Sequence, residues 1–240
     1  MNPLLKIAYQ PYKWLFALPL IFVFTFVFGL IAILTGMILG QDAVNIIAEV
    51  WARLCCAVVP LKVVIRGTRN YTRNTAYVIV SNHQSLVDIS ALHGHLGLAI
   101  KWIMKKELGE IPIFGAACRH LGCITVDRGN HESALESIEA AKKTLSGKAC
   151  VLFFAEGTRS RDGKVMPFKK GAFRFAHETR IPILPLTIRN SRSILPSDSL
   201  DLTPGTVEVV VHRPIHMSDY NLARLDEVIH TTRQIIADAL

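Results

Sequence analysis

The sequence predicts an α/β protein with a central mixed or largely parallel β-sheet flanked by helices, preceded by an N-terminal helical segment embedded in a membrane. Three observations lead to this fold class. A long run near the N-terminus, Trp14 to Gly40, contains no charged residue. After Pro60, short apolar runs alternate with helical patterns, as expected when helices join the strands of one sheet. Reactive polar side chains directly follow two of those runs, where α/β proteins place their active sites.

The uncharged run is long enough to cross a bilayer. Trp14 to Gly40 comprises 27 residues, and about 20 suffice for a hydrocarbon core of about 30 Å. A signal peptide usually has a shorter apolar run with a small-residue cleavage site, so we expect this segment to stay attached. A single tilted span and a re-entrant hairpin bent near Gly29 or Gly36 both fit. Basic residues flank the run on both sides, so charge predicts no orientation.

A second helix is predicted from Ala43 to Val59. Its apolar residues recur at helical spacing on one face, and Pro60 ends the pattern. Such a helix lies flat on the membrane or packs on the globular body, and the sequence leaves both open. We therefore divide the chain into a membrane anchor, residues 1–60 with a hydrophobic segment at 14–40 and an amphipathic helix at 43–59, and a globular domain, residues 61–240.

Strands and helices are predicted to alternate through the globular domain. The predicted strands are Leu61–Ile65, Ala76–Val80, Ile124–Val126, Val151–Ala155, Ile183–Ile188 and Val207–Val211. The predicted helices are Leu86–Leu96, Glu132–Leu145, Gly171–Thr179 and Leu222–Ala239. The polar stretch Asn190–Thr206 is predicted as one long loop.

The composition narrows the classes of partner. Lys and Arg total 27 against 19 Asp and Glu, which gives a net charge of +8 and suits anionic lipid headgroups, phosphorylated substrates or nucleic acid. The sequence carries no nucleic-acid signature, so nucleic acid is not an expected partner. Five cysteines without a disulfide pattern favour a reducing compartment. Cys118, His120 and Cys123 lack the paired spacing of a metal site, so no metal is expected.

The first candidate site follows the apolar run that ends at Val80. His83 and Asp88 are five residues apart, a spacing that does not put them on the same face of a regular helix. They can meet if His83 lies on a strand-to-helix turn and Asp88 in the first turns of the helix, with Ser85 as its cap. Asp88 would then orient the imidazole, and the other ring nitrogen would act as a general base. A histidine cap with a supporting carboxylate is the purely structural alternative.

The sequence offers no protein nucleophile for this base. It contains no Gly-x-Ser-x-Gly elbow, and no cysteine stands in an activating setting. The proton that His83 removes is therefore expected to belong to a substrate hydroxyl, which would attack an activated acyl group directly. Backbone N–H groups at the helix start after His83 are the expected donors to the oxyanion.

A second candidate site follows the strand predicted at Val151–Ala155. The segment Phe153–Arg161 places a carboxylate, a glycine, a hydroxyl and two guanidinium groups on one turn. Arginine suits a phosphate, and Gly157 lets the backbone approach a ligand closely. Lys169 and Lys170 add positive charge before the next helix. A salt-bridged surface loop is the alternative.

Together these motifs resemble the glycerolipid acyltransferase family, especially the 1-acylglycerol-3-phosphate (lysophosphatidic acid) acyltransferases. Four blocks match in order, within a region from about Leu61 to Asn190: Asn82-His83 with Asp88, Lys105–Gly115 running on to Ile124–Arg128, Phe154–Arg159, and Ile181–Pro185. No single block is specific, but four in the right order after a membrane segment are.

The resemblance implies a function for each matched position. His83 would deprotonate the sn-2 hydroxyl of lysophosphatidic acid, with Asp88 orienting it, and the oxygen would attack the thioester of acyl-CoA or acyl-carrier protein to give phosphatidic acid. Substrate-binding roles would fall to Lys105, Arg128, Glu156, Gly157, Thr158, Arg159 and Pro185. No metal or other cofactor is implied.

The resemblance also implies a location. Membrane lipids would be further partners, and the catalytic domain would face the cytosol from a cytoplasmic or inner membrane. Three alternatives remain: an acyltransferase for another lyso-lipid acceptor, a hydrolase in which His83 activates water, and a membrane-anchored protein that binds anionic lipid without turnover.

Overall fold

A computed structural model describes residues 3–127, 129, 136–140, 142, 148–220 and 222–240. The chain begins with one uninterrupted rod made of α1 (Pro3–Tyr12), a π-helical segment (Lys13–Ala17) and α2 (Leu18–Ile38). Its 35 residues from Leu4 to Ile38 are long and apolar enough to cross a membrane. The predicted hydrophobic segment is therefore a continuous helix rather than a hairpin.

The two glycines considered as bending points are positions of close helix packing. A Cβ atom at Gly36 would lie 2.6 Å from His120 Nδ1, and one at Gly29 would lie 2.8 Å from a side-chain carbon of Ile113. Glycine thus lets α2 approach the segment around α6 (Phe114–Leu121).

Helix α3 (Gln41–Val58) follows Gly40 and matches the predicted amphipathic helix. One face is buried at Ala52, Cys55 and Cys56 and packs against α2 and α4 (Val87–His95). Ile46 and Val50 on α3 remain exposed. Of the two alternatives, packing on the globular body is the one that the structure shows for the buried face.

Seven strands form one sheet in the order β1-β7-β6-β2-β5-β3-β4. The strands are β1 (Leu61–Arg66), β2 (Val78–Ser81), β3 (Ile100–Lys105), β4 (Ile124–Val126), β5 (Cys150–Phe154), β6 (Ile183–Arg189) and β7 (Gly205–Val211). All paired neighbours are parallel except β6 and β7. The predicted mixed, largely parallel sheet is confirmed, and β3 is the strand that the sequence did not predict.

The remaining helices cover the two faces of the sheet. They include α5 (Lys106–Gly109), α7 (Gly171–Thr179), α8 (Ser191–Ile194) and α9 (Leu225–Asp238), and residues 136–140 are also helical. Helix α7 has the predicted bounds, α9 begins after a 3₁₀ turn at Leu222–Arg224, and α8 interrupts the predicted loop Asn190–Thr206. Most of the predicted helix Glu132–Leu145 lies outside the described residues.

Alternate residues of the central strands pack on opposite faces, as expected for a sheet covered on both sides. Ile79 and Leu152 belong to the hydrophobic cluster that includes α4, whereas Val80 and Phe153 belong to the cluster that includes α7 and α9. The backbone beyond the carboxyl ends of β2 and β5 leaves the sheet between these two layers. Both candidate motifs lie at that edge.

Candidate active site

His83 and Asp88 meet at the carboxyl end of β2. His83 lies on the turn between β2 and α4, and Asp88 is the second residue of α4. The distance from His83 Nδ1 to Asp88 Oδ2 is 2.8 Å. The Asp88 side chain is fully buried, while 12% of the His83 side chain is exposed. Because the carboxylate accepts the proton of Nδ1, Nε2 is the nitrogen that carries the free lone pair.

Asp88 also binds the backbone of the turn. Its Oδ2 atom accepts hydrogen bonds from the N–H groups of Gln84 and Ser85, both at 2.9 Å. The Ser85 hydroxyl accepts the N–H of Val87, the first residue of α4, at 3.2 Å, but the N-cap position is occupied by Leu86 rather than by Ser85 as predicted. The N–H groups of Gln84 and Ser85, expected from the sequence to face an oxyanion, point at Asp88 instead.

Glu156 connects the second motif to the first. Its Oε1 atom accepts the N–H of His83 at 2.8 Å, and its Oε2 atom accepts the N–H of Met166 at 2.9 Å. The N–H of Ser160 donates to the His83 carbonyl at 2.8 Å. Burial raises the pKa of Glu156 to about 6, against the lowering effect of its two backbone donors. The backbone of His83 is thus held from both sides by the loop after β5.

The imidazole plane of His83 is set by an aromatic neighbour. Phe154 stacks on it with ring centroids 3.7 Å apart and an interplanar angle of 7°. Behind Phe154 lies Trp102, whose indole N–H donates to Nδ1 of the buried His93 at 3.1 Å. Burial lowers the pKa of His93 to about 4, so this histidine is neutral near pH 7 and can accept that bond.

Asn82 fixes the end of β2 to β6. Its amide accepts the N–H of Ile188 at 2.8 Å and donates to the carbonyl of the same residue at 2.9 Å. The side chain is fully buried and takes the place of a strand partner beyond Ser81. This geometry sets the point at which the chain turns toward His83.

The arginine side chains of the second motif, Arg159 partly buried and Arg161 exposed, form a cationic cluster. Arg159 Nη2 lies 3.1 Å from Asp198 Oδ1, and Arg161 Nη2 lies 3.1 Å from Asp198 Oδ2. Thr158 is exposed beside them. Gly157 has φ of +77°, a left-handed conformation that favours glycine. These groups remain accessible to a ligand because their ion pairs are at the surface.

The other predicted site residues lie farther from His83 or outside the description. Lys105 ends β3, is exposed, and pairs with Glu107 at 2.7 Å. Pro185 is buried within β6 at the register of Val80, and its carbonyl accepts the N–H of His212. Arg128 lies outside the described residues. The roles expected for these three residues stay predictions.

Arg233 on α9, for which the sequence predicted no role, holds the backbone of the loop that contacts Glu156. Its guanidinium donates to the carbonyls of Val165 at 2.6 Å and Met166 at 3.1 Å. Met166 is the residue whose N–H binds Glu156. An arginine on a helix predicted as amphipathic carried no signal of this contact, because the partners are backbone atoms 67 and 68 residues away.

A cavity of about 500 Å³ opens beside the site. Phe154 and Gly157 form part of its wall, together with apolar side chains of β3, β4 and β5. Lys169, Lys170 and Arg174 bring positive charge to it, and Asp127 brings one carboxylate. Phe154 lines this cavity and also stacks on the His83 imidazole, whereas His83 itself does not line the cavity.

Cys118, His120 and Cys123 take part in helix termination and helix packing. The N–H of Cys123 closes the end of α6 on the carbonyl of Cys118, and His120 packs against Gly36. Within the described ranges, no group of three or more His, Cys, Asp or Glu side chains could hold a metal ion.

Fold and site together define an α/β protein with a histidine oriented by a buried aspartate at the carboxyl edge of its sheet. The sequence matches the model of the family described as Acyltransferase over residues 62–189. The chain therefore belongs to the acyltransferase family. This confirms the family resemblance and covers both motifs.

Individual relatives have more specific names. The chloroplastic 1-acyl-sn-glycerol-3-phosphate acyltransferase of Brassica napus is 37% identical over 181 residues, 74% of this chain and 52% of that protein. The 1-acyl-sn-glycerol-3-phosphate acyltransferase of Helicobacter pylori strain J99 is 38% identical over 137 residues, 57% of this chain and 58% of that protein. The chain thus spans somewhat more than half the length of these curated relatives.

A solved structure shares the whole fold. The crystal structure of the 1-acyl-sn-glycerophosphate acyltransferase PlsC from Thermotoga maritima is similar with a TM-score of 0.80 and 24% identity, covering 100% of this chain and 96% of that chain. This likeness extends through the N-terminal helices as well as the sheet.

Proposed function

We propose that this protein transfers a fatty acyl group from acyl-CoA or acyl-carrier protein to the sn-2 hydroxyl of 1-acylglycerol-3-phosphate, giving phosphatidic acid. The observation that carries the proposal is the hydrogen bond between His83 Nδ1 and Asp88 Oδ2 at the carboxyl end of β2, which leaves Nε2 as a base. The names of the relatives from Brassica napus and Helicobacter pylori support the acceptor.

In the proposed reaction, His83 Nε2 takes the proton of the acceptor hydroxyl while the oxygen of that hydroxyl attacks the thioester carbonyl. The negative charge of Asp88 stabilises the imidazolium that forms. When the tetrahedral intermediate collapses, the carbon–sulfur bond breaks and the departing thiolate takes the proton from the imidazolium. The histidine returns to its starting state, and no covalent enzyme intermediate is needed.

The acceptor phosphate is proposed to bind at the exposed side of the loop after β5. Arg159 offers a planar pair of donors and Thr158 offers a hydroxyl, whereas Gly157 lies at the boundary between this cluster and the cavity lined by Lys169. Lys105, Arg128 and Pro185 are proposed to complete the substrate site. For Glu156 the geometry favours a positioning role, because both carboxylate oxygens already accept backbone N–H groups.

The N-terminal helices are proposed to hold this site at a membrane, with residues 1–60 as anchor and residues 61–240 as the catalytic domain on the cytosolic face. The rod of α1 and α2 exposes large apolar side chains along its length, including Ile7, Phe22 and Ile38. Exposure of that kind in water is unfavourable and is typical of a lipid-facing surface. The acceptor and the product could then stay in the bilayer during the reaction.

The test is acyl transfer by the purified, detergent-solubilised chain to lysophosphatidic acid, with acyl-CoA and acyl-carrier protein in parallel. We expect phosphatidic acid from the wild type and a loss of about 10²–10⁴-fold in His83→Ala, the usual contribution of a general base. The matched control is His230→Ala, because His230 is exposed on α9. Absence of product with either donor, or near-normal turnover by His83→Ala, would refute the proposal.

A further inference from the structure

The cavity beside His83 is separate from the arginine cluster of the same loop. Arg159 and Arg161 are held by Asp198, on the segment that follows β6. The cavity instead lies over β3, β4 and β5, since Ile103, Val126 and Phe153 form part of its wall. Two cationic regions therefore flank the base on different sides.

Lys169 is built into the cavity wall by its backbone. Its N–H donates to the carbonyl of Ala155 at 2.8 Å, and the preceding Phe168 is buried in the core. Its side chain passes over Gly157, where a Cβ atom would lie 2.6 Å from Lys169 Cε and 2.8 Å from Nζ. Glycine at position 157 thus leaves room for the ammonium group in the cavity.

Among the residues that the structure describes, the positive charge of the cavity is only partly balanced. Lys170 pairs with Asp226 at 2.7 Å. Lys169 and Arg174 form no ion pair in the part of the chain that the structure describes. Asp127 also lines the cavity, but its Oδ1 atom accepts the N–H of Gly129 at 2.9 Å. Two cations against one carboxylate favour an anionic ligand.

The rest of the cavity wall is apolar. A fitting ligand therefore combines a phosphate group with a narrow, largely uncharged chain. Both acyl donors considered above carry such an arm, because the thiol of CoA and of acyl-carrier protein belongs to a phosphopantetheine group. The thioester at its end would have to reach the His83 imidazole, and Phe154 is shared by the cavity and that ring. The volume of about 500 Å³ lies within the usual range for ligand sites of about 300–1,000 Å³.

We propose that this cavity binds the phosphopantetheine arm of the acyl donor, with Lys169 and Arg174 contacting its phosphate. The inference rests on the proposed function for the identity of the donor. It assigns one cationic region to each phosphate-bearing substrate: the arginine cluster to the acceptor and the Lys169 cavity to the donor. Lys169 is then a specificity residue for phosphorylated donors.

The test compares two donors that share one thioester, acyl-CoA and acyl-pantetheine, of which the second lacks phosphate. In Lys169→Gln we expect the KM for acyl-CoA to rise roughly tenfold or more, as for the loss of one hydrogen bond to a charged group. The KM values for acyl-pantetheine and for lysophosphatidic acid should stay unchanged. Lys164→Gln is the matched control, because Lys164 is an exposed lysine of the same loop outside the cavity wall.

Two outcomes would overturn the inference. An increase in the KM for lysophosphatidic acid without one for acyl-CoA would place the acceptor phosphate in the cavity. An equal loss with both donors would show that Lys169 acts on the fold of the loop.

A binding measurement separates this inference from the proposed function. We expect the wild type to bind 4′-phosphopantetheine roughly tenfold more tightly than pantetheine, and Lys169→Gln to lose that preference. If the protein shows this preference without acyl transfer, the cavity assignment stands and the proposed function fails. If it transfers acyl groups but shows no such preference, the cavity assignment alone is wrong.

Discussion

Replacing Asp88 by asparagine separates the charge of this residue from its hydrogen bonds. In the wild type, Asp88 Oδ2 accepts three N–H groups, from His83 Nδ1 and from the backbone of Gln84 and Ser85. An amide nitrogen cannot accept, so the asparagine carbonyl should occupy the Oδ2 position and keep all three bonds. The tautomer of His83 and the turn would then be preserved while the negative charge is lost, and the amide nitrogen would take the buried Oδ1 position, which has no hydrogen-bond partner among the described residues.

The size of the effect follows from the distance between the charges. The contact of 2.8 Å places the centres of an imidazolium and the carboxylate about 4 Å apart. At an effective dielectric constant of about 20, two unit charges at that distance attract by about 4 kcal/mol. In the proposed reaction the imidazolium exists only once the acceptor proton has moved, so this attraction would be gained in the transition state. We expect kcat to fall by roughly 10³-fold in Asp88→Asn.

The assay is steady-state transfer from acyl-CoA to lysophosphatidic acid, with thermal unfolding in the same detergent. Asp88→Asn should keep the KM values near those of the wild type. Asp88→Ala is the comparison, since it also leaves three donors without an acceptor, at a cost of about 1–3 kcal/mol for each one that stays buried. That variant should show a clearly lower Tm. A kcat for Asp88→Asn within a few-fold of the wild type would refute the electrostatic role of this carboxylate.

Three further predictions test the surroundings of the base. Glu156→Gln should lower kcat about 10- to 100-fold with little change in the KM for the acceptor. An amide group cannot accept both backbone N–H groups, so His83 would shift. A change confined to the KM for the acceptor would indicate that Glu156 contacts the substrate instead. Arg159→Ala should raise the KM for lysophosphatidic acid about tenfold or more and leave the donor KM unchanged, whereas Asp198→Asn, which keeps the guanidinium, should not. Gly36→Ala should lower the free energy of unfolding by about 1–3 kcal/mol, because the added methyl group overlaps His120; an unchanged Tm would show that the two helices can move apart freely.

The predicted strands are those whose apolar residues form a continuous run or alternate along the strand. Strands β2, β5 and β6 are covered on both faces and consist of apolar or β-branched residues, so a continuous apolar run identified them. Strand β3 was not predicted, because a lysine within it interrupts its apolar run. Lys101 is nonetheless buried, and its ammonium group donates to the carbonyl of Leu121 at the end of α6. The sequence cannot show such a partner, because it depends on two elements meeting in space.

Contacts in the candidate site also divide into those that could be predicted from the sequence and those that could not. The meeting of His83 with Asp88 was predictable, because a turn between a strand and a helix brings residues of that spacing together. The contact of Glu156 with the His83 N–H was not, since these residues are 73 positions apart and the acceptor site is a backbone atom. The same holds for Asn82, whose partner Ile188 lies 106 positions away. A polar side chain in a motif suggests substrate binding, but burial against the backbone assigns it to the scaffold.

Burial therefore distinguishes the polar residues of the two motifs that position His83 from those that are available to bind a substrate. Asp88 and Glu156 are buried, and each holds the backbone or the ring of His83, so the histidine that we propose as the base has little freedom left to lose. Arg159 and Lys169 lie in the same loop but keep their cationic groups accessible. Changes at the buried positions should act on kcat for every substrate, because they move the base. Changes at the accessible positions should act on KM for one substrate at a time, so exchanges among them could alter acceptor or donor choice while the chemistry at His83 is kept.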